Sequence, residues 1–141
     1  MLSKTHLIFA LFILTFFYSP SLNFLLFSLI VLFSTLIPDL DNSSIGILLK
    51  HRGIMHSLAF ALIISLILAQ LIPLYFVLAF LLGYVLHLFA DIMTISGIPL
   101  LWPLKNRTKL KLFRTGGFYE KIVFCILLVS FVFKTIILIT R

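Results

Sequence analysis

Apolar residues dominate five stretches of the chain, at 7–18, 22–37, 58–72, 74–90 and 122–140, and most polar residues collect between them. Continuous runs of this kind predict helices in lipid rather than strands with one wet face. Ser19-Pro20-Ser21 divides the first two runs, because proline disfavours continuation of a helix. As a single helix, 58–90 would be about 50 Å long against a hydrocarbon core of ~30 Å, so it is expected to fold back around Gln70–Pro73. The pattern predicts an all-α integral membrane protein of about five transmembrane helices, forming one membrane-embedded domain over 1–141. Several runs hold only about 12–17 residues where ~20 is usual. The polar segments should therefore sit slightly below the headgroups, in a shallow bowl walled by protein.

Composition narrows the class. Of 141 residues, 62% are hydrophobic and 11% charged, with a mean hydropathy of +1.27. Soluble domains carry about 25% charged residues, so both a soluble globular protein and a disordered chain are excluded. A single cysteine, Cys125, excludes an internal disulfide, a cysteine-based zinc site and an iron–sulfur site. Lys4 followed by an apolar run has the outline of a signal peptide, but Tyr18-Ser19-Pro20 is a poor cleavage site and the run is read as a retained span.

The basic residues set the orientation. With the N-terminus in the cytoplasm, that side receives Lys4, Lys50, Arg52, Lys105, Arg107, Lys109, Lys111, Arg114 and Lys121. The opposite side receives Arg141, and Lys134 can snorkel towards it. The positive-inside rule thus predicts a multi-pass protein of the inner or plasma membrane, N-terminus in and C-terminus out. Each basic residue near anionic lipid gains about 1 kcal/mol, so membrane lipids, and anionic headgroups at the 91–121 loop, are the expected partners. No nucleic acid is expected, since the same charges already satisfy the orientation rule.

All four acids and all four histidines fall near the cytoplasmic face. His87 and Asp91 are i and i+4 at the end of the fourth run, one above the other on a helix face. That spacing lets them share a metal or a water, or merely orient the helix end; an ionisable pair this close to hydrocarbon is a functional hypothesis. Asp39 and Asp41 follow Pro38 in an exit loop, where alternate carboxylates either converge on a divalent ion or make Asx turns. His51, Arg52 and His56 lead into the third run, with Gly53 free to turn and Ser57 suited to start a helix. Neutral imidazoles bind transition metals, and the Arg52 guanidinium is a fork for phosphate or carboxylate. His6 says little alone, and Glu120 sits among basic residues before the last run. Gly97, Pro99, Trp102 and Pro103 suggest a re-entrant or interface-lying loop, and the alternating Lys and Leu of 109–112 a short strand or an interfacial stripe.

In order, these pieces resemble the YdjM-like family of membrane-bound, LexA-regulated, predicted metal-dependent hydrolases. The matching residues are Thr5-His6, Pro38-Asp39-Leu40-Asp41, His51-Arg52-Gly53, His56-Ser57, Gly83-Tyr84, His87, Asp91, Thr94, Gly97, Leu100–Pro103, Arg107, Gly117 and Glu120. The combination carries the resemblance, which covers essentially the whole chain. It implies a membrane hydrolase acting at the cytoplasmic bilayer face on phospholipid or another phospho- or carboxylic ester. On that reading His6, Asp39, Asp41, His56, His87 and Asp91 bind a divalent metal, with zinc or manganese favoured by mixed His/carboxylate ligation. Glu120 or His51 acts as general acid or base, and Arg52 and Arg107 hold the substrate. The alternative is a non-catalytic metal-binding, structural or regulatory membrane protein. A carrier fits less well, because no ionisable ligand lies at mid-bilayer depth.

Overall fold

The structure is a computed structural model that describes residues 1–42, 53–104 and 106–140, with the backbone alone at 41 and 42. Five α-helices form among the described residues: α1 Ser3–Leu14, α2 Leu22–Leu36, α3 Leu58–Leu68, α4 Leu74–Ile92 and α5 Phe118–Ile139. No strand forms among them, so the protein is all-α. The breaks fall where the polar residues predicted them. After α1 the chain tightens into a 3-10 turn at Thr15–Phe17 and passes Pro20 before Ser21 caps α2, its Oγ accepting the Phe24 N–H at 3.1 Å. Ser57 caps α3 the same way, through the Phe60 N–H at 3.2 Å. Such caps are worth about 1 kcal/mol each. The fold-back between α3 and α4 occupies 69–73.

The five helices are of two kinds. Three stretches are long and apolar enough to cross a bilayer: Leu22–Leu40, which is α2 with the turn after it, Leu74–Ile92 and Phe118–Ile139. The helical stretch Ser3–Phe17 and α3 are shorter. At 11 residues α3 extends about 16 Å, roughly half of a ~30 Å core. Its start is tied to the segment after α4, with the Leu58 N–H bonded to the Leu100 carbonyl at 2.9 Å.

α4 is the hub. It buries Val77, Ala79, Phe80, Tyr84, Leu88 and Ala90 against its neighbours. Phe80, Tyr84 and Leu88 pack with Ala61 of α3 and with Ile98, while Ala79 packs with Val31 of α2 and with Ala10 and Leu14 of α1. The Tyr84 hydroxyl donates to the Met55 carbonyl, pinning the approach to α3. By contrast, the only buried residue of α5 is Glu120. Large apolar side chains such as Leu66, Leu71, Val129 and Phe133 point outwards, as lipid-facing helices require.

Between α4 and α5 the chain folds back over the end of α4 as a hairpin. Leu110 N–H bonds to the Ile92 carbonyl at 2.8 Å, Leu112 N–H to Met93 at 2.9 Å, and Ile95 N–H to Phe113 at 3.0 Å. Ile98 and Thr108 exchange two backbone bonds at 3.1 and 2.9 Å. The stripe of alternating Lys and Leu at 109–112 therefore forms no strand, and isolated bridges flank it, Ile98 to Thr108 and Thr94 to Phe113. The connectivity puts the starts of α1, α3 and α5 and the ends of α2 and α4 together at one end. The basic residues make this end cytoplasmic by expectation. A reporter fused after Lys111 should stay inside and one fused after Thr140 should be exported; both reporters on one side would reject the orientation.

Candidate metal centre

At the end where these helix termini meet, four pieces of chain bring five ligating side chains together. His6 comes from the second turn of α1, Asp39 from the 3-10 turn after α2, His56 from the 3-10 turn before α3, and His87 and Asp91 from the last two turns of α4. Pro38 takes the chain out of regular α-helix, and this turns Asp39 inward rather than onward along the helix axis. The i, i+4 spacing on α4 does what it predicts, stacking His87 and Asp91 on the face that α4 buries.

Asp91 lies at the centre. Its Oδ1 is 3.4 Å from His6 Nε2, and its Oδ2 is 3.6 Å from His56 Nε2 and 3.9 Å from His87 Nε2. Asp39 Oδ1 closes the other side, 3.9 Å from His56 Nε2 and 3.7 Å from His87 Nε2. Two triads follow, His6–His87–Asp91 and Asp39–His56–His87, each with donor atoms within 4.8 Å of one another, and His87 belongs to both. The His6 and His87 rings stack with centroids 3.9 Å apart, while His56 meets His87 edge-on at 5.3 Å. The three imidazoles and Asp91 are at most 1% exposed; Asp39 is the outermost, at 20%.

This donor set fits a transition metal. His87 Nδ1 is 2.7 Å from the Thr35 carbonyl, a partner that only accepts, so the proton sits on Nδ1 and the Nε2 lone pair faces the cluster. His87 Nε2 and both ring nitrogens of His6 are buried and make no hydrogen bond. Buried imidazole nitrogens are normally satisfied, and a cation would satisfy His87 Nε2 and the one nitrogen of His6 that carries a lone pair. Donors 3.4–3.9 Å apart are close to the edge of a tetrahedron of ligands at ~2.0–2.2 Å. The N-terminal ammonium of Met1 is ion-paired to Asp91 Oδ1. Ser3 Oγ donates to Asp39 Oδ2 at 3.1 Å.

Of the other predicted site residues, the two that are described, Glu120 and Arg107, belong to neither triad. Glu120 is buried, but its Oε1 accepts the Leu2 N–H at 2.7 Å and its Oε2 the Gly116 N–H at 2.6 Å. With both oxygens accepting from backbone donors, it ties the start of α1 to the start of α5. Arg107 is exposed and donates to the Ser96 carbonyl at 3.3 Å, within the hairpin. His51 and Arg52 lie outside the described residues, as does the Asp41 side chain. Sequence reasoning missed Thr35, which acts through its backbone carbonyl and leaves no residue-type signal.

Depth follows from helix geometry. His87 is about 20 Å along α4 from Leu74, which puts it roughly 10 Å inside the near edge of a ~30 Å core.

The chain is 37% identical over 94 residues to the inner membrane protein YdjM of Escherichia coli, covering 53% of this chain and 48% of the relative. It is 40% identical over 75 residues to the uncharacterized protein YvsG of Bacillus subtilis, covering 52% and 47%. The chain thus spans about half the length of the curated relatives it matches. No solved structure matches it. The family model described as YdjM inner membrane protein matches residues 1–140, and with its apolar helices this makes the chain a multi-pass inner-membrane member of the YdjM family.

Proposed function

We propose that the chain is a membrane-embedded, metal-dependent hydrolase acting at the cytoplasmic bilayer face on phospholipid or another phospho- or carboxylic ester. One observation carries the reading: five ligating side chains from four separate elements converge in a buried cluster, and the His87 lone pair is aimed into it. His6, Asp39, His56, His87 and Asp91 would hold the ion, zinc or manganese by the chemistry of a mixed nitrogen–oxygen set. A divalent ion there supplies a Lewis acid for an ester oxygen and a water acidic enough to attack near neutral pH. The protein's own part is to orient His87 through Thr35 and to exclude bulk water from the buried imidazoles. Asp39, the outermost ligand, marks the side from which a headgroup ester would approach. Arg52 is assigned to the substrate phosphate, since a guanidinium donates and does not ligate cations.

The full burial of the three imidazoles favours a second reading, a closed structural metal site, because structural sites lack an open coordination position. The protein purified in detergent, loaded with zinc or manganese and assayed on phosphatidylglycerol and phosphatidylethanolamine, separates the two. Turnover that disappears with a chelator and returns with metal supports the hydrolase. Stoichiometric metal without turnover of any ester supports the structural site.

A further inference from the structure

The hairpin over the end of α4 has a surface that the metal centre does not use. Between Asp91 and Glu120 the chain has five basic residues and no acidic one. Arg107, Lys109, Lys111 and Arg114 are all exposed. Large apolar side chains stand exposed among them: Leu101 58%, Trp102 42%, Leu104 59%, Leu110 56% and Leu112 61%. These belong to no membrane-crossing helix, so spanning the bilayer does not account for their exposure. Contiguous exposed apolar groups of this kind mark a binding surface.

We infer that this hairpin is a docking surface for the anionic phospholipid of the cytoplasmic leaflet, with its leucines and Trp102 among the upper acyl chains and its cations at the phosphates. The first support is position. Backbone bonds to Ile92 and Met93 hold the hairpin against the last residues of a membrane-crossing helix, and it runs directly into Phe118, where another begins. It therefore lies at the interface whatever its side chains are. The second is the local pattern. Lys109, Leu110, Lys111 and Leu112 are exposed in succession, so this short segment presents both apolar and cationic groups outside the protein. At a lipid surface that pairing is favourable, since leucine enters the acyl boundary while a lysine stem lies along it and lifts its ammonium to the headgroups. The third is charge complementarity, as no carboxylate on the hairpin opposes an anionic leaflet. The surface is independent of whether the metal centre hydrolyses anything.

Trp102 is the single tryptophan of the chain and sits on this surface, which makes it an unambiguous probe. The experiment compares the full chain in nanodiscs of phosphatidylcholine alone and of phosphatidylcholine with phosphatidylglycerol, reading quenching of Trp102 by neutral acrylamide and by lipids brominated high on the acyl chain. The expected result is at least a twofold lower acrylamide quenching constant, with stronger bromolipid quenching, when phosphatidylglycerol is present. High salt should abolish the difference. The combined variant Arg107→Gln, Lys109→Gln, Lys111→Gln, Arg114→Gln should lose it as well, each cation contributing about fivefold to the lipid equilibrium. If that variant does not fold, the salt titration of the unmodified chain decides. Equal quenching of Trp102 in both lipids, or a difference that persists in high salt, overturns the inference. Shielding that depends on the number of chains per disc, or on an added acidic protein, and not on lipid charge overturns it too, by assigning the surface to a protein partner.

Discussion

A chain carrying both His87→Ala and Asp91→Ala should purify folded and without bound metal, whereas the parent chain should carry a divalent ion in stoichiometric amount. Changes to residues that merely orient a ligand cost about 10–100-fold in metal affinity. Losing two ligands should exceed that, and His87 is common to both triads of the cluster. His87→Ala has a second consequence, because the Thr35 carbonyl loses the imidazole N–H it accepts. An unsatisfied buried acceptor costs about 1–3 kcal/mol, so a modest fall in thermal midpoint should accompany metal loss. His87→Gln restores a donor of similar reach, and it should recover part of the stability without recovering the metal. That split separates ligation from packing. The measurement is metal content by elemental analysis and unfolding by scanning fluorimetry in detergent, for each variant and the parent. Full occupancy in a folded double variant would remove His87 and Asp91 from the ligand set. Arg52→Ala is the contrasting substitution: it should keep full metal, with any hydrolysis showing a raised KM, as expected for loss of uniform substrate binding.

The legible parts of this site are those whose geometry is local. His87 and Asp91 can be paired from sequence because four residues of helix fix their relation, and Pro38 announces that Asp39 leaves the helix. His6 carried no such information on its own, because the register between α1 and α4 decides whether it meets His87. That register depends on packing of Ala10 and Leu14 against α2 and α4, which no spacing within α1 reveals. Glu120 is ambiguous for the opposite reason. A lone acid at a helix start reads equally as catalyst or anchor, and the two N–H groups that claim it come from Leu2 and Gly116, the first of them 118 residues away. Hydrophobic runs located all five helices, but run length overstated α3, whose last apolar residues belong to the turn before Pro73. Apolarity reports that a residue faces lipid or core and says nothing of where helical hydrogen bonding stops.

Substituting Gly83 should damage both the fold and the centre, through a single contact. Gly83 faces α2, and a Cβ built there would overlap Ser34 Oγ and the Val31 carbonyl oxygen and stand 2.9 Å from the Val31 carbonyl carbon. Thr35 Oγ1 bridges the same crossing, donating to the carbonyls of Val31 at 2.8 Å and Gly83 at 3.1 Å. Glycine at this point lets the two backbones approach, as small residues do at helix crossings in membranes. Gly83→Ala must push α2 outward or strain α4, a misfit of the kind that costs typically 1–3 kcal/mol. Gly83→Val should cost more. Ser34→Gly should not rescue either one, because the clash with the Val31 backbone remains once the hydroxyl is gone. The effect reaches the metal centre because Thr35 presents its carbonyl to His87 from the strand of contacts that the new methyl displaces. Gly83→Ala should therefore weaken metal binding by about 10–100-fold, the range for losing the partner that orients a ligating histidine, although Gly83 touches no ligand atom. Parallel measurements of thermal midpoint and zinc affinity test this directly. A Gly83→Ala chain with parental midpoint and parental affinity would show that α2 and α4 are not held at this distance, and the orientation of His87 by Thr35 would fall with it.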